Sequence, residues 1–402
     1  MSPRPRLALV SLGVPPSASG QARVLGHLLA GGNPADCLML SEFPPQPDAA
    51  AGEVVPGLFQ RLRPHRDWLM ENRLMLPFPQ FNSRAGLGLA VWRRAREIVA
   101  KACGFKPQVL VGCTASPFDL AASAKAAAQL GVPFVAYLFD DPIYQWAPGH
   151  RREFARTAEP RWAAQAAGVI APNEFMARDF LARTGMACTL VRNPVDEAAF
   201  APSPPPPGPT EGPVHIVYTG SIYHAQDNAI INLVRAMEGF GDRLVLDLYT
   251  SQSPHQVAGC GIAGPAVRVL GHVSQQKSYA LQRAAGLLFL PLAFNSTIPE
   301  VLDSAAPAKL GEFLASCRPL LVHAPASSFI AQHIRQHEAG FVVDEPSVPL
   351  LAEALRTILA GGPEVARRQA NALQLAELYG AETARDAFWG LLARVAAEHR
   401  RT

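Results

Sequence analysis

Short, continuously apolar runs recur along the chain, and predicted helices separate most of them. In the first half such runs form most of Leu7 to Leu12, Gln108 to Gly112 and Phe134 to Phe139. Runs without polar alternation are typical of parallel strands that are buried on both faces of a sheet. Strands that alternate with helices form βαβ units, which join parallel neighbours. The alternation therefore predicts an α/β protein built on parallel sheets.

A proline-rich segment, from Ala201 to Thr210, interrupts this pattern, which starts again at Val214. Proline removes the backbone donor that a helix or a central strand needs, so we interpret the segment as a semi-rigid linker. The chain of 402 residues also exceeds the roughly 250–300 residues that a single core usually serves. We therefore predict a first domain at residues 1–200, a linker at 201–213, a second domain at 214–380 and a C-terminal helix at 381–402.

The composition is typical of a globular protein. It also limits the kinds of partner and the cellular compartment that the sequence favours. Hydrophobic residues make up 49% of the chain and charged residues 17%. The formal net charge of +3 is too small to predict a nucleic-acid partner, and no apolar run reaches the length of about 18 residues that predicts a spanning helix. The six cysteines are scattered, with no C-x-x-C pair, which favours buried thiols in a reducing compartment.

The N-terminus imitates a signal peptide, because Arg4 and Arg6 precede an apolar run and the small residues around Ala18. Pro15 and Pro16 break the run early, so we interpret it as the first strand of a cytoplasmic protein. A periplasmic two-lobed binding protein is the alternative, and it predicts cleavage near Ala18.

The stretch from Pro307 to His323 predicts a helix that leads into a buried strand. Ser304 is the predicted helix cap, and Pro307 suits the first turn. The spacing i, i+3, i+4, i+7 of one apolar helical face is formed by Leu310, Phe313, Leu314 and Cys317.

A second, polar face of this helix carries Lys309, Glu312 and Ser316 and is predicted to be free. A lysine in the first turn adds positive charge to the positive end of the helix dipole, a cost that a bound anion would offset. Glu312 lies one turn deeper, where its carboxylate is able to accept two hydrogen bonds from a vicinal diol. The pair is therefore predicted to hold the diphosphate and the ribose of a nucleotide. The alternative is a solvated ion pair on an exposed face.

Other candidate residues follow predicted strands, because ligands of open α/β sheets bind at the carboxyl ends of the strands. Gly220 follows the strand Val214 to Thr219 and would let a phosphate or a sugar approach the backbone; a plain β-to-α turn is the alternative. The loop from Pro15 to Gln21 is not G-x-G-x-x-G, which weighs against NAD or FAD. Asp140 and Asp141 could act as a base or as metal ligands, whereas an Asp-Asp-Pro turn is often only a helix cap.

An irregular segment is predicted between Phe43 and Arg84, where the alternation fails. From Phe59 to Arg96 two interpretations fit: a surface that contacts a membrane, and a basic solvated face whose aromatic residues fill the core. The residues concerned are Arg61, Arg63, Arg66, Arg73, Arg84, Arg93, Arg94, Arg96, Trp68, Leu69, Met70, Phe78, Phe81 and Trp92.

Four motifs, in this order along the chain, resemble those of bacterial glycosyltransferases of the two-domain GT-B fold, most closely family 4, the large retaining family. They are Arg-Asn-Pro-Val-Asp at 192–196, Tyr-Thr-Gly-Ser at 218–221, Pro-x-Lys-Leu-x-Glu-Phe-Leu-Ala-x-x-x-Pro-Leu-Leu at 307–321 and Ala-Gly-Phe-Val-Val at 339–343. The resemblance implies two Rossmann-like domains that face each other across a cleft, with the C-terminal helix packed back on the first domain.

The resemblance also implies roles for single residues. Lys309 and Glu312 would be the catalytic pair, beside the diphosphate and on the ribose of the donor. The donor site would further include Gly220, Ser221, Tyr223, His272, Val273, Pro307 and Leu310, and the acceptor side would include Ser19, Gly20, Asp140 and Asp141. The nucleotide sugar would be a co-substrate, with no cofactor and no metal. The reaction would be transfer of a hexose, with retention, to a glycan or a lipid-linked acceptor at the inner face of the membrane.

The chain departs from the family at three places. Ser304 stands where many members carry a first glutamate, eight residues before Glu312; residues 222–228 hold no basic side chain except His224; and residues 112–117 contain no histidine. A catalytically inactive partner subunit that binds a sugar nucleotide is therefore an alternative, and an epimerase of the same architecture is another.

Overall fold

The computed structural model describes residues 4–17, 19–46, 54–64, 79–196 and 212–401, leaving aside the side chains of residues 79–85. Most of the predicted linker lies outside these residues. So do Ala18 and, within the predicted arginine-rich segment, Arg66, Trp68, Leu69, Met70, Arg73, Phe78 and the side chains of Phe81 and Arg84.

Strands and helices alternate along the described residues. The strands are β1 Leu7–Val10, β2 Cys37–Ser41, β3 Leu58–Arg61, β4 Val109–Cys113, β5 Phe134–Tyr137, β6 Ala166–Ala171, β7 Thr189–Leu190, β8 Val214–Thr219, β9 Leu244–Tyr249, β10 Val267–Val269, β11 Leu287–Pro291, β12 Leu320–His323 and β13 Phe341–Val343. The helices are α1 Gly20–Leu29, α2 Pro79–Ala102, α3 Asp119–Leu130, α4 His150–Ala163, α5 Glu174–Thr184, α6 Asp227–Met237, α7 Pro254–Gly259, α8 Gln275–Ala284, α9 Glu300–Asp303, α10 Lys309–Ala315, α11 Phe329–Gln336, α12 Val348–Ala360, α13 Pro363–Ala376 and α14 Ala381–His399. Short 3-10 helices cover Pro34–Asp36, Glu238–Arg243 and Glu377–Tyr379.

The chain divides into two compact units. Unit 1 combines Met1–Pro194 with Ala381–Thr402, and unit 2 is Val195–Gly380. Each unit has its own parallel sheet, as the continuous apolar runs predict.

In the described part of unit 1, seven parallel strands lie in the order β3-β2-β1-β4-β5-β6-β7. Both faces of this sheet are buried: Ala8 and Val10 contribute to one apolar cluster, and Leu7 and Leu9 contribute to the other. Burial on both sides explains why β1 carries no polar residue.

The C-terminal helix α14 belongs to unit 1, where it packs on α1, β4, β6 and β7. Phe388 and Leu392 are fully buried, and the indole Nε1 of Trp389 donates a hydrogen bond of 2.8 Å to the carbonyl of Leu28. The predicted return of this helix to the first domain is confirmed.

In unit 2, six parallel strands of the described chain lie in the order β10-β9-β8-β11-β12-β13. The chain begins the sheet at β8, adds β9 and β10 on one side, and then crosses to β11 on the other. The carboxyl ends of β8 and β11 therefore flank the point at which the strand order reverses. In open α/β sheets this point is where ligands bind.

The predicted irregular segment between Phe43 and Arg84 is wrong in two places, since β3 adds an edge strand and α2 begins at Pro79. The apolar face of α2 was not recognised in the sequence because an arginine occupies one of its inward positions. Arg94 is buried with its Nε 3.3 Å from Oδ1 of Asp119, and it also pairs with Glu42. Trp92 departs from the core interpretation of the aromatic residues, because it is 43% exposed.

Candidate functional site

Helix α10 begins at the carboxyl edge of the unit 2 sheet and packs on α8 and α13. The predicted apolar face is buried at Leu310, Phe313 and Leu314. The predicted cap is wrong, because Ser304 instead ends α9 and the residue before α10, Ala308, makes no capping hydrogen bond through its side chain. The first turn is closed by the backbone, where the N–H of Leu310 donates to the carbonyl of half-buried Pro307 at 3.0 Å.

The predicted free polar face of α10 is also wrong, because two of its three residues are buried. Glu312 is only 7% exposed. Ser316 is buried and its hydroxyl donates to the carbonyl of Phe313 at 2.7 Å. Lys309 is half-buried. A solvated ion pair on an exposed face therefore does not describe Lys309 and Glu312.

The ammonium of Lys309 lies against the end of strand β8. Its Nζ is 3.9 Å from the ring centroid of Tyr218, a cation–π contact. A Cβ added to Gly220 would lie 2.7 Å from the same Nζ, and the φ of Gly220 is +121°. The backbone conformation therefore favours glycine here, and any side chain at this position would displace the ammonium.

The ring of Tyr218 is fixed by burial and by a hydrogen bond. Burial raises the pKa of this phenol well above its ordinary value, so the group stays neutral and donates to the carbonyl of Ser221 at 2.7 Å. This contact also fixes the loop after Gly220. The side-chain amide of Gln252 bonds both backbone groups of Ile222, at 2.7 and 2.6 Å.

The carboxylate of Glu312 is hydrogen-bonded by the amide of Gln282. The Nε2 of Gln282 donates to Oε2 of Glu312 at 2.8 Å and lies 3.3 Å from the hydroxyl of Thr219. Thr219 directly precedes Gly220. The structure therefore brings Lys309, Glu312 and Gly220 together at the carboxyl end of β8.

The remaining predicted donor residues lie at different distances from the carboxyl end of β8. Ser221 and Tyr223 are exposed in the loop after β8, Tyr223 by 52%. His272, exposed, and Val273, half-buried, follow β10, which is two strands away along the same sheet edge. The side chain of Leu310 is core, so only its backbone is placed to meet a ligand.

Two hydrogen bonds join the segment that follows β8 to the loop that follows β11, across the point at which the strand order reverses. The Nδ1 of His224 is 2.8 Å from the hydroxyl of Ser296, and Oδ1 of Asn228 accepts from the N–H of Phe294 at 3.0 Å. His224, the one basic residue that the sequence offers at 222–228, is thereby held beside the loop after β11.

The predicted acceptor-side residues lie at the carboxyl ends of β1 and β5 in unit 1. Ser19 caps α1, its hydroxyl accepting from the N–H of Ala22 at 3.1 Å, and Gly20 is the exposed first residue of that helix. Asp140 is exposed.

Asp141 is buried, and its carboxylate meets groups of its own unit. It accepts from the N–H groups of Ile143 and Tyr144, both at 2.9 Å, and from Nη2 of Arg183 at 2.9 Å. Asp141 therefore fixes the turn at residues 142–145 and caps no helix, since the next described helix begins at His150. Asp140 is the aspartate that faces solvent.

Two groups near the site were missed by the sequence interpretation, Gln282 and His323. The amide of Gln282 faces inward from α8. The sequence does not predict this, because a glutamine in a helix is usually exposed. His323 ends β12 and is fully buried. Its Nδ1 is 2.8 Å from the carbonyl of Val343, and its Nε2 is 3.2 Å from the amide nitrogen of Asn232. Burial lowers the pKa of His323 to about 4, so the ring is neutral, with Nδ1 donating and Nε2 accepting.

Two features are absent from the described residues, a metal-binding cluster and a membrane-spanning helix. No group of three or more His, Cys, Asp or Glu side chains among them is placed to hold a metal ion. No described helix combines the length and the apolar character that crossing a membrane requires.

The chain resembles known glycosyltransferases in part of its sequence and in its fold. Residues 54–199 match the model of Glycosyltransferase Family 4. No curated protein sequence matches the chain.

Solved structures similar to the chain extend over nearly its whole length. Anabaena HepE in complex with UDP and glucose has a TM-score of 0.67 at 14% identity, over 97% of this chain and 99% of that one. Sucrose-phosphate synthase from Thermosynechococcus elongatus has a TM-score of 0.71 at 16% identity, over 98% and 100%. The α,α-trehalose-phosphate synthase from Burkholderia vietnamiensis has a TM-score of 0.64 at 13% identity, over 98% and 100%. The predicted resemblance and the GT-B fold class are confirmed.

The buried His323 predicts a loss of stability in acid. The unfolded chain binds this proton at the ordinary pKa of 6.5, whereas the folded chain binds it only near 4. The contribution of neutral His323 to the free energy of unfolding is therefore fully present above about pH 6.5. It falls by about 3 kcal/mol as the pH approaches 4. Urea unfolding between about pH 7 and 4.5 measures this slope, and His323→Asn should flatten it. The exposed histidine variant His255→Asn is the control and should keep the wild-type slope; equal slopes in wild type and His323→Asn would contradict the assignment.

Proposed function

We propose that the protein is a glycosyltransferase that moves a hexose from a nucleoside-diphosphate sugar to a glycan or a lipid-linked acceptor. The single observation that carries this proposal is the ammonium of Lys309, held against Tyr218 and Gly220 at the carboxyl end of β8. A UDP-sugar is the donor class to test first, because Anabaena HepE was crystallised with UDP-glucose.

The chemistry that Lys309 offers is stabilisation of a leaving group. Transfer of a glycosyl group leaves a nucleoside diphosphate, on which negative charge grows in the transition state. A fixed ammonium aimed at that charge lowers the barrier because it needs no reorganisation during the reaction. This places the charge-stabilising role on a side chain, and we propose that no divalent metal and no cofactor is needed.

The role proposed for Glu312 is binding of the ribose. Its carboxylate lies one turn beyond Lys309 and accepts hydrogen bonds, and the hydroxyls of a vicinal diol are donors that fit it. The nucleotide would then span the end of β8, with the diphosphate at Lys309 and Gly220 and the ribose at Glu312. Retention of configuration at the transferred sugar is part of the proposal, and it rests on the resemblance to family 4.

A second candidate function is that of an inactive partner subunit that binds a sugar nucleotide. Ser304 favours it, because this residue stands where many family members carry a glutamate, and it is buried and uncharged. The two candidates differ in one measurable property: only the enzyme consumes its donor.

The acceptor is proposed to be membrane-held, on the evidence of the outer face of α2. Leu89 and Trp92 are 37% and 43% exposed there. Arg93 and Arg96 are exposed beside them, with the guanidinium of Arg96 4.7 Å from the Trp92 ring centroid.

The charge of this face is not cancelled by its own helix. The acid of α2, Glu97, lies 3.7 Å from buried Arg94 and accepts from the N–H of Arg63 at 2.9 Å. An aromatic ring between arginines suits the interface of an anionic bilayer. We accordingly propose a peripheral cytoplasmic enzyme at the inner face of a bacterial membrane, in polysaccharide biosynthesis.

Lys309 and Glu312 give the direct test of the donor site. Lys309→Met keeps the aliphatic stem and removes the charge, so kcat/KM for a UDP-sugar should fall by about 10²–10³. Glu312→Gln keeps the shape and should weaken nucleotide affinity by about tenfold. Donor consumption and isothermal titration calorimetry measure the two effects, with activity expected to continue in EDTA.

Exposed residues of unit 2 supply the matched controls for this experiment. Lys277→Met and Glu353→Gln should behave as wild type. Wild-type kinetics in Lys309→Met, or a strict requirement for added Mg²⁺ or Mn²⁺, would contradict the proposed donor chemistry. Nucleotide binding without donor consumption would favour the inactive partner subunit.

The membrane contact is tested by co-sedimentation with liposomes. The protein should pellet with phosphatidylglycerol vesicles at low salt and be released at physiological salt, because screening weakens surface charge interactions. Trp92→Ser and Arg96→Glu should each reduce pelleting by about fivefold, whereas Arg394→Glu, an exposed arginine of α14, should not. Absence of pelleting at low salt would leave α2 as ordinary structure of unit 1.

A further inference from the structure

Gln282 is the most completely buried polar side chain at the candidate donor site, with no exposed surface. Its Nε2 lies 2.8 Å from Oε2 of Glu312, 3.1 Å from the hydroxyl of Ser278 and 3.3 Å from the hydroxyl of Thr219. One amide group therefore joins α8, α10 and the end of β8.

The orientation of this amide is set by its nitrogen. Among the described residues, the Oε1 of Gln282 has no hydrogen-bond partner, so no contact of the oxygen fixes the group. The opposite orientation would bring Oε1 against the carboxylate of Glu312, and two acceptors repel each other. An N–H donated to an ionised carboxylate is instead among the stronger hydrogen bonds. The Glu312 carboxylate thus determines how Gln282 points, and the amide in turn restrains the carboxylate.

A carboxylate at this depth needs such a restraint if it is to bind a sugar hydroxyl. Glu312 has rotatable bonds beyond its Cβ, and a hydrogen bond to a diol forms well only when its oxygens are held in one direction. Thr219, which contacts the same amide, is the residue before Gly220, where Lys309 lies. The contacts for ribose and for diphosphate are therefore tied to each other through Gln282.

We propose that Gln282 is a positioning residue that fixes the Glu312 carboxylate for recognition of the ribose 2′- and 3′-hydroxyls of the nucleotide. This inference rests on the proposed function, in which Glu312 binds the ribose. It assigns to Gln282 no contact with the substrate.

The first test compares UDP with 2′-deoxy-UDP by calorimetry. Wild-type protein should bind UDP about tenfold or more tightly than 2′-deoxy-UDP, as expected when a hydroxyl-recognising site meets a ligand without the hydroxyl. Gln282→Met, which keeps the volume and removes the donor, should reduce this ratio to about twofold, because the UDP affinity falls more than the 2′-deoxy-UDP affinity. General damage to the fold would weaken both ligands together, so the ratio separates positioning from structure.

The second test uses Gln282→Glu and pH, and it does not depend on the tolerance of the core for methionine. Two carboxylates at hydrogen-bond distance cannot both ionise freely, so the pair takes up a proton at a pKa above that of an ordinary glutamate. At high pH the two charges should push Glu312 away, and as the pH falls a shared proton should restore the contact. UDP-glucose, whose diphosphate has no proton to lose in this range, should bind Gln282→Glu about tenfold more tightly at about pH 5.5 than at about pH 8. Wild type and the exposed control Gln276→Glu should show no such gain.

The outcomes separate this inference from the proposed function. If wild-type protein binds UDP and 2′-deoxy-UDP equally, or if Glu312→Gln leaves the UDP to 2′-deoxy-UDP ratio unchanged, the ribose assignment itself is wrong. If Glu312→Gln lowers that ratio while Gln282→Met keeps it and Gln282→Glu has no pH-dependent gain, the donor site stands and the role of Gln282 is overturned. A reduced ratio in Gln282→Met together with the gain in Gln282→Glu supports the proposal.

Discussion

The contact of the Lys309 ammonium with the ring of Tyr218, at the end of strand β8, is the interaction on which the candidate donor site depends. A cation that is half-buried against an aromatic ring has lost part of its water, and an anion that approaches it gains more than it would in bulk solvent. The face of the Tyr218 ring is electron-rich, so the ring offsets part of the ammonium's positive charge. The ammonium lies beside Gly220, where the chain carries no side chain. The ligand that we propose for this place is the diphosphate of a nucleotide.

Strand order explains why this cation is found here. In a parallel sheet the carboxyl ends of the strands meet at one edge, and at the reversal between β8 and β11 their loops separate in opposite directions. The separation leaves a crevice that side chains of both loops border, joined by the contact of His224 with Ser296. Near the end of β8 the amide of Gln282 donates to the carboxylate of Glu312, so the protein itself restrains this carboxylate.

Much of the fold was predictable from the sequence, because a strand buried on both faces must be apolar throughout, as β1 and β4 are. Helix α2 was not predictable, since Arg94 occupies an inward position of its stripe and is tolerated only because Glu42 and Asp119 come from other parts of the chain. In the candidate site, Lys309 and Glu312 were predicted from one helix alone. Their burial was not, because it depends on α8 and α13, and Gln282 escaped notice because its partner lies 30 residues away.

The measurement that tests the central claim most directly is a thermal-shift comparison of nucleoside diphosphates, their sugar derivatives, nucleoside monophosphates and free sugars. A ligand that binds the folded state raises the melting temperature, with about 2.7 kcal/mol of added stability at one hundred times its Kd. The account predicts that at least one diphosphate and its sugar derivative stabilise the protein in a saturable way, while the matching monophosphate and the free sugar have little effect. No stabilisation by any nucleoside diphosphate would contradict the assignment of a donor site at Lys309.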